Sequence, residues 1–181
     1  MKKKILGGLE LLSQIIVWLC YTVLFNLYYQ QNIWKIYNSY HRRKKKWKRS
    51  IWNYYMVHHA ASISIDASIA SPLILPHGVS GIFITKSAII GRNVVIFQQV
   101  TIGANTLKDS RTYGAPTIGD DIYIGAGAKI IGNVNVGNNS RIGANAVIVK
   151  DIPSNSLAVN SETRIIIKEE KLDNKFYPYL E

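Results

Sequence analysis

From Ile118 to Ile148 the chain places an aliphatic residue at every sixth position without a miss: Ile118, Ile124, Ile130, Val136, Ile142 and Ile148. Gly follows four of these six, at Gly119, Gly125, Gly137 and Gly143. The fifth position of each hexad is small or β-branched: Ile122, Ala128, Val134, Ser140, Ala146 and Ile152. A helix would repeat about every 3.6 residues and a half-buried strand about every two, so neither produces this pattern. A period of six predicts a parallel β-helix, in which each hexad forms one short flat face and three faces close a triangular coil.

The same count extends upstream. Hexads are read at Ile63, Ile69 and Leu75, then at Ile84, Ile90, Ile96 and Ile102, which with the regular stretch makes thirteen, or a little over four coils. Two breaks interrupt them. Leu75 to Ile84 takes nine residues, so the segment around Pro76–Gly81 must bulge, and Ile102 to Ile118 takes sixteen, so a loop over Asn105–Gly114 must leave the coil. Loops projecting from a rigid scaffold are where binding and chemistry tend to sit.

Charge divides the chain in a second way. Residues 1–60 hold eleven Lys and Arg against the single acid Glu10, whereas residues 61–181 hold eleven bases and ten acids. All four Trp and seven of the eleven Tyr also precede residue 61. The expected organisation is a basic, aromatic, helical segment over 1–60, a repeat domain over 61–167 and a tail over 168–181. Leu11 to Trp34 contains no charged residue, long enough for a membrane span. Polar residues weaken that reading, and Gln14, Thr22, Asn26 and Gln30 suggest the polar stripe of an amphipathic helix. Lys-rich sequence on both sides, with no small-residue cleavage site, argues against a cleaved signal peptide.

The run His41–Arg49 with Trp47, then Trp52, Tyr54 and Tyr55, suits an anionic membrane surface through residues 1–55. It equally suits a cap that buries its aromatics on the coil and blunts an exposed β-edge. Nucleic acid is the least favoured partner. A lone cysteine, Cys20, in an apolar run excludes an internal disulfide.

Among four histidines only His77 stands near a coil, at the first break and beside Gly78 and Gly81. A metal site needs several converging ligands, so none is expected. An imidazole, with an ordinary pKa of about 6.5, is mostly neutral at pH 7 and can take a proton from a hydroxyl there. Backbone N–H groups of the glycine-containing turn are candidates to stabilise an oxyanion.

The segments Pro76-His-Gly-Val-Ser-Gly-Ile-Phe-Ile84, Ile96-Phe-Gln-Gln-Val-Thr-Ile-Gly103, Ile124-Gly-Ala-Gly-Ala-Lys-Ile130 and Ile142-Gly-Ala-Asn-Ala-Val-Ile148 resemble the hexapeptide acyltransferases. The similarity spans roughly residues 60–167 and is nearest the serine O-acetyltransferase-like branch, which includes short members acting on polysaccharides. The resemblance implies a left-handed parallel β-helix, a homotrimer and acetyl-CoA in grooves between subunits. It implies His77 as general base for direct attack of a hydroxyl on the thioester, with no metal. It further implies Gly103, Ala104, Ala126 and Ala144 along the pantetheine arm, and Arg141, Lys150 and Arg164 near its phosphates.

Departures from the serine enzymes bear on the acceptor. Pro76 stands where they carry an acid, Ala115 where they carry a second histidine, and Ser62 where an acid orients the catalytic histidine. Asn160–Arg164 departs from their usual Gly-x-Pro-Ala-Lys pattern. Without ion-pair partners for an amino acid, the expected acceptor is a sugar hydroxyl of a cell-surface polysaccharide or its precursor. The expected setting is cytoplasmic, peripheral at the inner face of the membrane. The alternatives are serine O-acetyltransferase of cysteine synthesis and a non-catalytic β-helix scaffold in a membrane complex.

Overall fold

The computed structural model describes residues 32–161, with Leu19 in addition. The polar stripe expected over 11–34, Cys20, Arg164 and the tail 168–181 therefore lie outside the described residues, apart from the 32–34 end of that stretch.

Two helices, α1 (Ile33–Arg42) and α2 (Lys46–His58), precede thirteen short strands. The first face of the coil stacks β1 (Ser62–Ile63), β3 (Phe83–Ile84), β6 (Thr101–Gly103), β9 (Lys129–Ile131) and β12 (Val147–Ile148). The second stacks β2 (Ser68–Ile69), β4 (Ile89–Ile90), β7 (Thr117–Ile118) and β10 (Asn135–Val136). The third stacks β5 (Val95–Ile96), β8 (Tyr123–Ile124), β11 (Arg141–Ile142) and β13 (Leu157–Ala158), with Ile74 bridged to Val95 beneath them. Every pairing between these strands is parallel.

The register follows the hexads: Ile84 pairs with Ile102, Ile118 with Val136, Ile124 with Ile142 and Ile130 with Ile148, each eighteen residues on. Period six thus becomes three strands per turn, and each aliphatic lands on its equivalent one coil later. Ile96, Ile102, Ile124 and Ile130 have no exposed surface, and fifth-position Ile122, Ala128, Val134 and Ala146 fill the corners beside them. Ser140, the polar member of that series, is buried too; its Oγ donates to Pro153 O at 3.0 Å and accepts from Ser156 N at 3.3 Å. The glycines after the aliphatics mark close approach between coils. A Cβ on Gly125 would sit 2.7 Å from Ala144 N.

The thirteen strands are not the thirteen hexads, however. Leu75 is only half-buried and its segment contributes the single bridge of Ile74, while β13 was not expected. Val136 pairs with Ile152 and Ile142 with Ala158, sixteen residues on, because the last turn runs two residues short through Asp151-Ile152-Pro153.

The helices seat on the open end of the first coil. Their buried stripe is Ile33, Ile36, Tyr37 and Tyr40 on α1, and Ile51, Trp52 and Met56 on α2. Trp52 Nε1–H donates to Ile63 O at 2.6 Å, Tyr37 O–H donates to Ala67 O at 2.6 Å, and His41 Nε2–H donates to Ile65 O at 2.8 Å. Tyr37 Oη also accepts from Ile69 N at 2.9 Å. These backbone groups have no coil below them, and a buried backbone group left unpaired is costly. Arg49 grips Asp66 with two bonds of 2.6 and 2.9 Å and also reaches Tyr40 Oη. Residues 33–58 are a structural cap with their aromatics inward and most of their charge outward.

Candidate active site

The nine-residue break places His77 on an exposed bulge at the corner where the third face turns into the first. Gly78 and Gly81 have φ of +70° and +68°, and these left-handed residues allow the sharp turn. Gly81 is the tighter position, since a Cβ there would lie 3.2 Å from Gln99 Cα, while nothing lies within 4 Å of one on Gly78. The two glycine N–H groups do not face outward for an oxyanion. Gly78 N donates to Leu75 O and Gly81 N to Ala60 O, both at 3.0 Å, so the first closes the turn and the second ties it to the residues after α2.

His77 Nδ1 lies 2.6 Å from Gln98 Oε1. An amide oxygen only accepts, so Nδ1 carries the proton and Nε2 keeps its lone pair facing away. Ser62, which replaces the orienting acid, lies on β1 and is not the partner of the ring. Phe97 meets the imidazole edge-on, with centroids 5.3 Å apart at 86°, and Tyr123 stands 5.1 Å behind Phe97. Gln98, Phe97 and Tyr123 escaped the sequence reading, although a signal for Gln98 was there. Ile74 pairs with Val95, twenty-one residues on, and the same step carries His77 to Gln98.

Beyond Tyr123, a cleft of about 750 Å³ opens along the third face. Asn93, Asp121, Asn139 and Arg141 line it, so a carboxylate and a guanidinium share its walls. Asn93, Asp121 and Asn139 hold φ near +55° and stack at one corner, with Asn93 Nδ2 donating to Asp121 Oδ1 at 2.7 Å.

The second break is an ordered loop. Asn105 and Gly114 exchange backbone bonds of 2.8 and 2.9 Å, and Asn105 Nδ2 donates to Ser110 Oγ and Thr112 Oγ1 inside it. Thr112 O accepts from Asn133 N at 2.8 Å, which docks the loop on the next coil. Leu107 and Tyr113 are exposed at 66% and 51%. This loop leaves the coil at the corner between the first and second faces, whereas His77 lies at the corner between the third and first. One chain does not bring them together.

The residues expected along acetyl-CoA divide between the same two corners. Ala126 and Ala144 follow β8 and β11 near the His77 corner, and Ala126 O accepts from the N–H of Asn145, the residue after Ala144, at 2.8 Å. Arg141, exposed at the start of β11, lies instead at the other end of the third face, on the cleft with Asp121 and Asn139. Gly103 and Ala104, half-buried at the end of β6, and exposed Lys150 after β12 lie at the loop corner. Among the described residues no three His, Cys, Asp or Glu converge as a metal site would require.

Residues 115–150 match the family model described as bacterial transferase hexapeptide (six repeats). The chain is 38% identical over 103 residues to serine acetyltransferase of Helicobacter pylori, covering 57% of this chain and 58% of that protein. It superposes with TM-score 0.61 and 28% identity on Neisseria gonorrhoeae serine acetyltransferase in complex with serine, covering 78% of this chain and 59% of that one. It also superposes with TM-score 0.58 and 29% identity on a serine acetyltransferase in complex with CoA, covering 72% and 52%. The chain spans about half the length of the curated relatives it matches.

These relatives overturn the expected polysaccharide acceptor. The similar proteins, at 33–38% identity, carry the name serine acetyltransferase. The expectation rested on missing side chains: an acid at Pro76, a second histidine at Ala115 and an orienting acid at Ser62. Loss of such groups removes contacts to one acceptor but does not by itself name another.

Proposed function

We propose that this hexapeptide-repeat acyltransferase is a serine O-acetyltransferase, moving an acetyl group from acetyl-CoA to the serine hydroxyl. The observation that carries the reading is the pair His77–Gln98 on a bulge of a coil whose relatives are named for that reaction. Gln98 holds the Nδ1 proton, so His77 Nε2 takes the proton of the hydroxyl as that oxygen attacks the thioester carbonyl. Collapse of the tetrahedral adduct breaks the carbon–sulfur bond, and the imidazolium returns the proton to the departing thiolate. The products are O-acetylserine and CoA. General-base assistance of this kind contributes about 10²–10⁴-fold.

The small residues Gly103, Ala104, Ala126 and Ala144 let the pantetheine arm lie against backbone, and exposed Arg141 and Lys150 suit its phosphates. The coil is left-handed and the active unit a homotrimer. Its physical support is the separation of His77 and the 105–114 loop to different corners, which a neighbouring copy can close by setting its loop against the His77 bulge.

The test is CoA thiol release by the purified full chain with acetyl-CoA and serine, with a panel of sugars as comparison. Release that depends on serine and yields O-acetylserine by mass is expected. Release with sugars alone, or with no acceptor tried, overturns the proposal.

A further inference from the structure

The outer face of the cap takes no part in the acetyl transfer described above. From Ile33 to His58 the chain carries eight Lys and Arg and no acid. Arg42, Arg43, Lys44, Lys45, Lys46 and Trp47 form the tip where α1 turns into α2, and all six are exposed. The tip is a built structure. Lys48 is buried beneath it, its Nζ donating to Ser39 O at 2.7 Å and Arg43 O at 3.4 Å, while Lys45 N donates to Arg43 O at 2.8 Å.

Burial first, then the neighbouring Arg43, Arg42 and Lys45, push the Lys48 ammonium below the usual lysine range. Like charges are therefore held against one another by the fold. Asp66, whose carboxylate also feels Lys44 of the tip, is already held by Arg49 in an ion pair. Such a concentration of positive charge is relieved by an external polyanion.

We propose that the tip Arg42–Trp47 docks this protein on an anionic lipid bilayer, its cations among the headgroups and Trp47 in the interface. Two observations select lipid over nucleic acid. Trp47 is 45% exposed within the cationic run, and an amphipathic ring among Lys and Arg is the composition of the membrane–water boundary. Upstream of the tip in sequence, Leu11–Trp34 holds no charged residue, with Lys2, Lys3 and Lys4 on its far side and Lys35 on its near side. An uncharged run flanked by Lys and Arg suits a bilayer and has no use against phosphodiester backbone.

The experiment is co-sedimentation of the full chain with vesicles of phosphatidylglycerol and phosphatidylcholine, against phosphatidylcholine alone. A fivefold variant with Arg42, Arg43, Lys44, Lys45 and Lys46 changed to Gln keeps the structural Lys48 and Arg49. Each Lys or Arg near an anionic surface contributes about fivefold, so this variant loses on the order of 10³ in affinity while its thermal unfolding is kept. Trp47→Ala, which touches none of the cations' charge, is expected to weaken binding severalfold, and 0.5 M salt (roughly a 4 Å screening length) to release the wild-type protein. Three outcomes overturn the proposal: no preference for anionic vesicles, a fivefold variant that binds within about threefold of wild type, or tighter binding to duplex DNA than to vesicles at equal phosphate. Neither readout depends on acetyl transfer.

Discussion

Gln98→Ala removes the acceptor that faces His77 Nδ1 and leaves the bulge otherwise unchanged. The bond is 2.6 Å long and exposed to solvent, so its net worth is about 0.5–1.5 kcal/mol. If that energy serves to hold the ring with Nε2 toward the hydroxyl, its loss appears in turnover. At about 1.4 kcal/mol per factor of ten, kcat falls roughly 2- to 12-fold and KM for acetyl-CoA hardly moves. A double-mutant cycle separates orientation from any general effect on the site. In a His77→Ala background no imidazole remains to orient, and Gln98→Ala is expected to change the residual rate by less than about twofold. Initial rates of thiol release at saturating acetyl-CoA and serine give all four corners of the cycle. The reasoning is refuted if Gln98→Ala leaves turnover at the wild-type value, or if it slows the His77→Ala protein as much as the wild type.

Other expectations concern the scaffold. Trp52→Phe leaves Ile63 O without its donor beneath a buried side chain, and urea unfolding should show a loss of about 1–3 kcal/mol. Gly119→Ala puts a Cβ 2.3 Å from Asn138 Oδ1 and 3.0 Å from two backbone atoms, for a loss of about 1–3 kcal/mol; Gly78→Ala, with open space but φ +70°, should lose only about 1–2 kcal/mol from backbone strain. The Arg49 guanidinium holds the Asp66 carboxyl below the usual carboxylate range. A depressed folded-state pKa stabilises above the unfolded value of about 3.9 and is lost as pH falls through the folded value. Asp66→Asn should therefore flatten part of the acid limb of a stability profile below about pH 4, and lower stability at pH 7 by no more than about 1 kcal/mol, as suits an exposed pair.

Most of the coil was legible because one period fixes everything about it. Within an unbroken run a residue eighteen places on is both the next in the pattern and the parallel partner, so Ile84 with Ile102, Ile124 with Ile142 and Ile130 with Ile148 could be stacked by counting alone. Counting failed where the turn changes length. At the carboxyl end the sixteen-residue turn hid β13, and at the first bulge the twenty-one-residue turn hid the stacking of His77 on Gln98. The basic, aromatic head was visible as composition, but composition does not say which ring is buried. Trp52 is fully inside and Trp47 is 45% exposed, five residues apart on one helix, because only the first faces the coil. The acceptor was misread for a different reason. Pro76, Ala115 and Ser62 are real departures, yet an absent side chain names no substrate.

The central claim is that the imidazole of His77 removes the serine proton. Its most direct test is serine-dependent CoA release by His77→Ala beside the wild-type chain, with the circular dichroism spectrum of the coil as a check on folding. The expected result is a folded protein whose turnover falls about 10²–10⁴-fold. A folded His77→Ala protein that acetylates serine at close to the wild-type rate would contradict it.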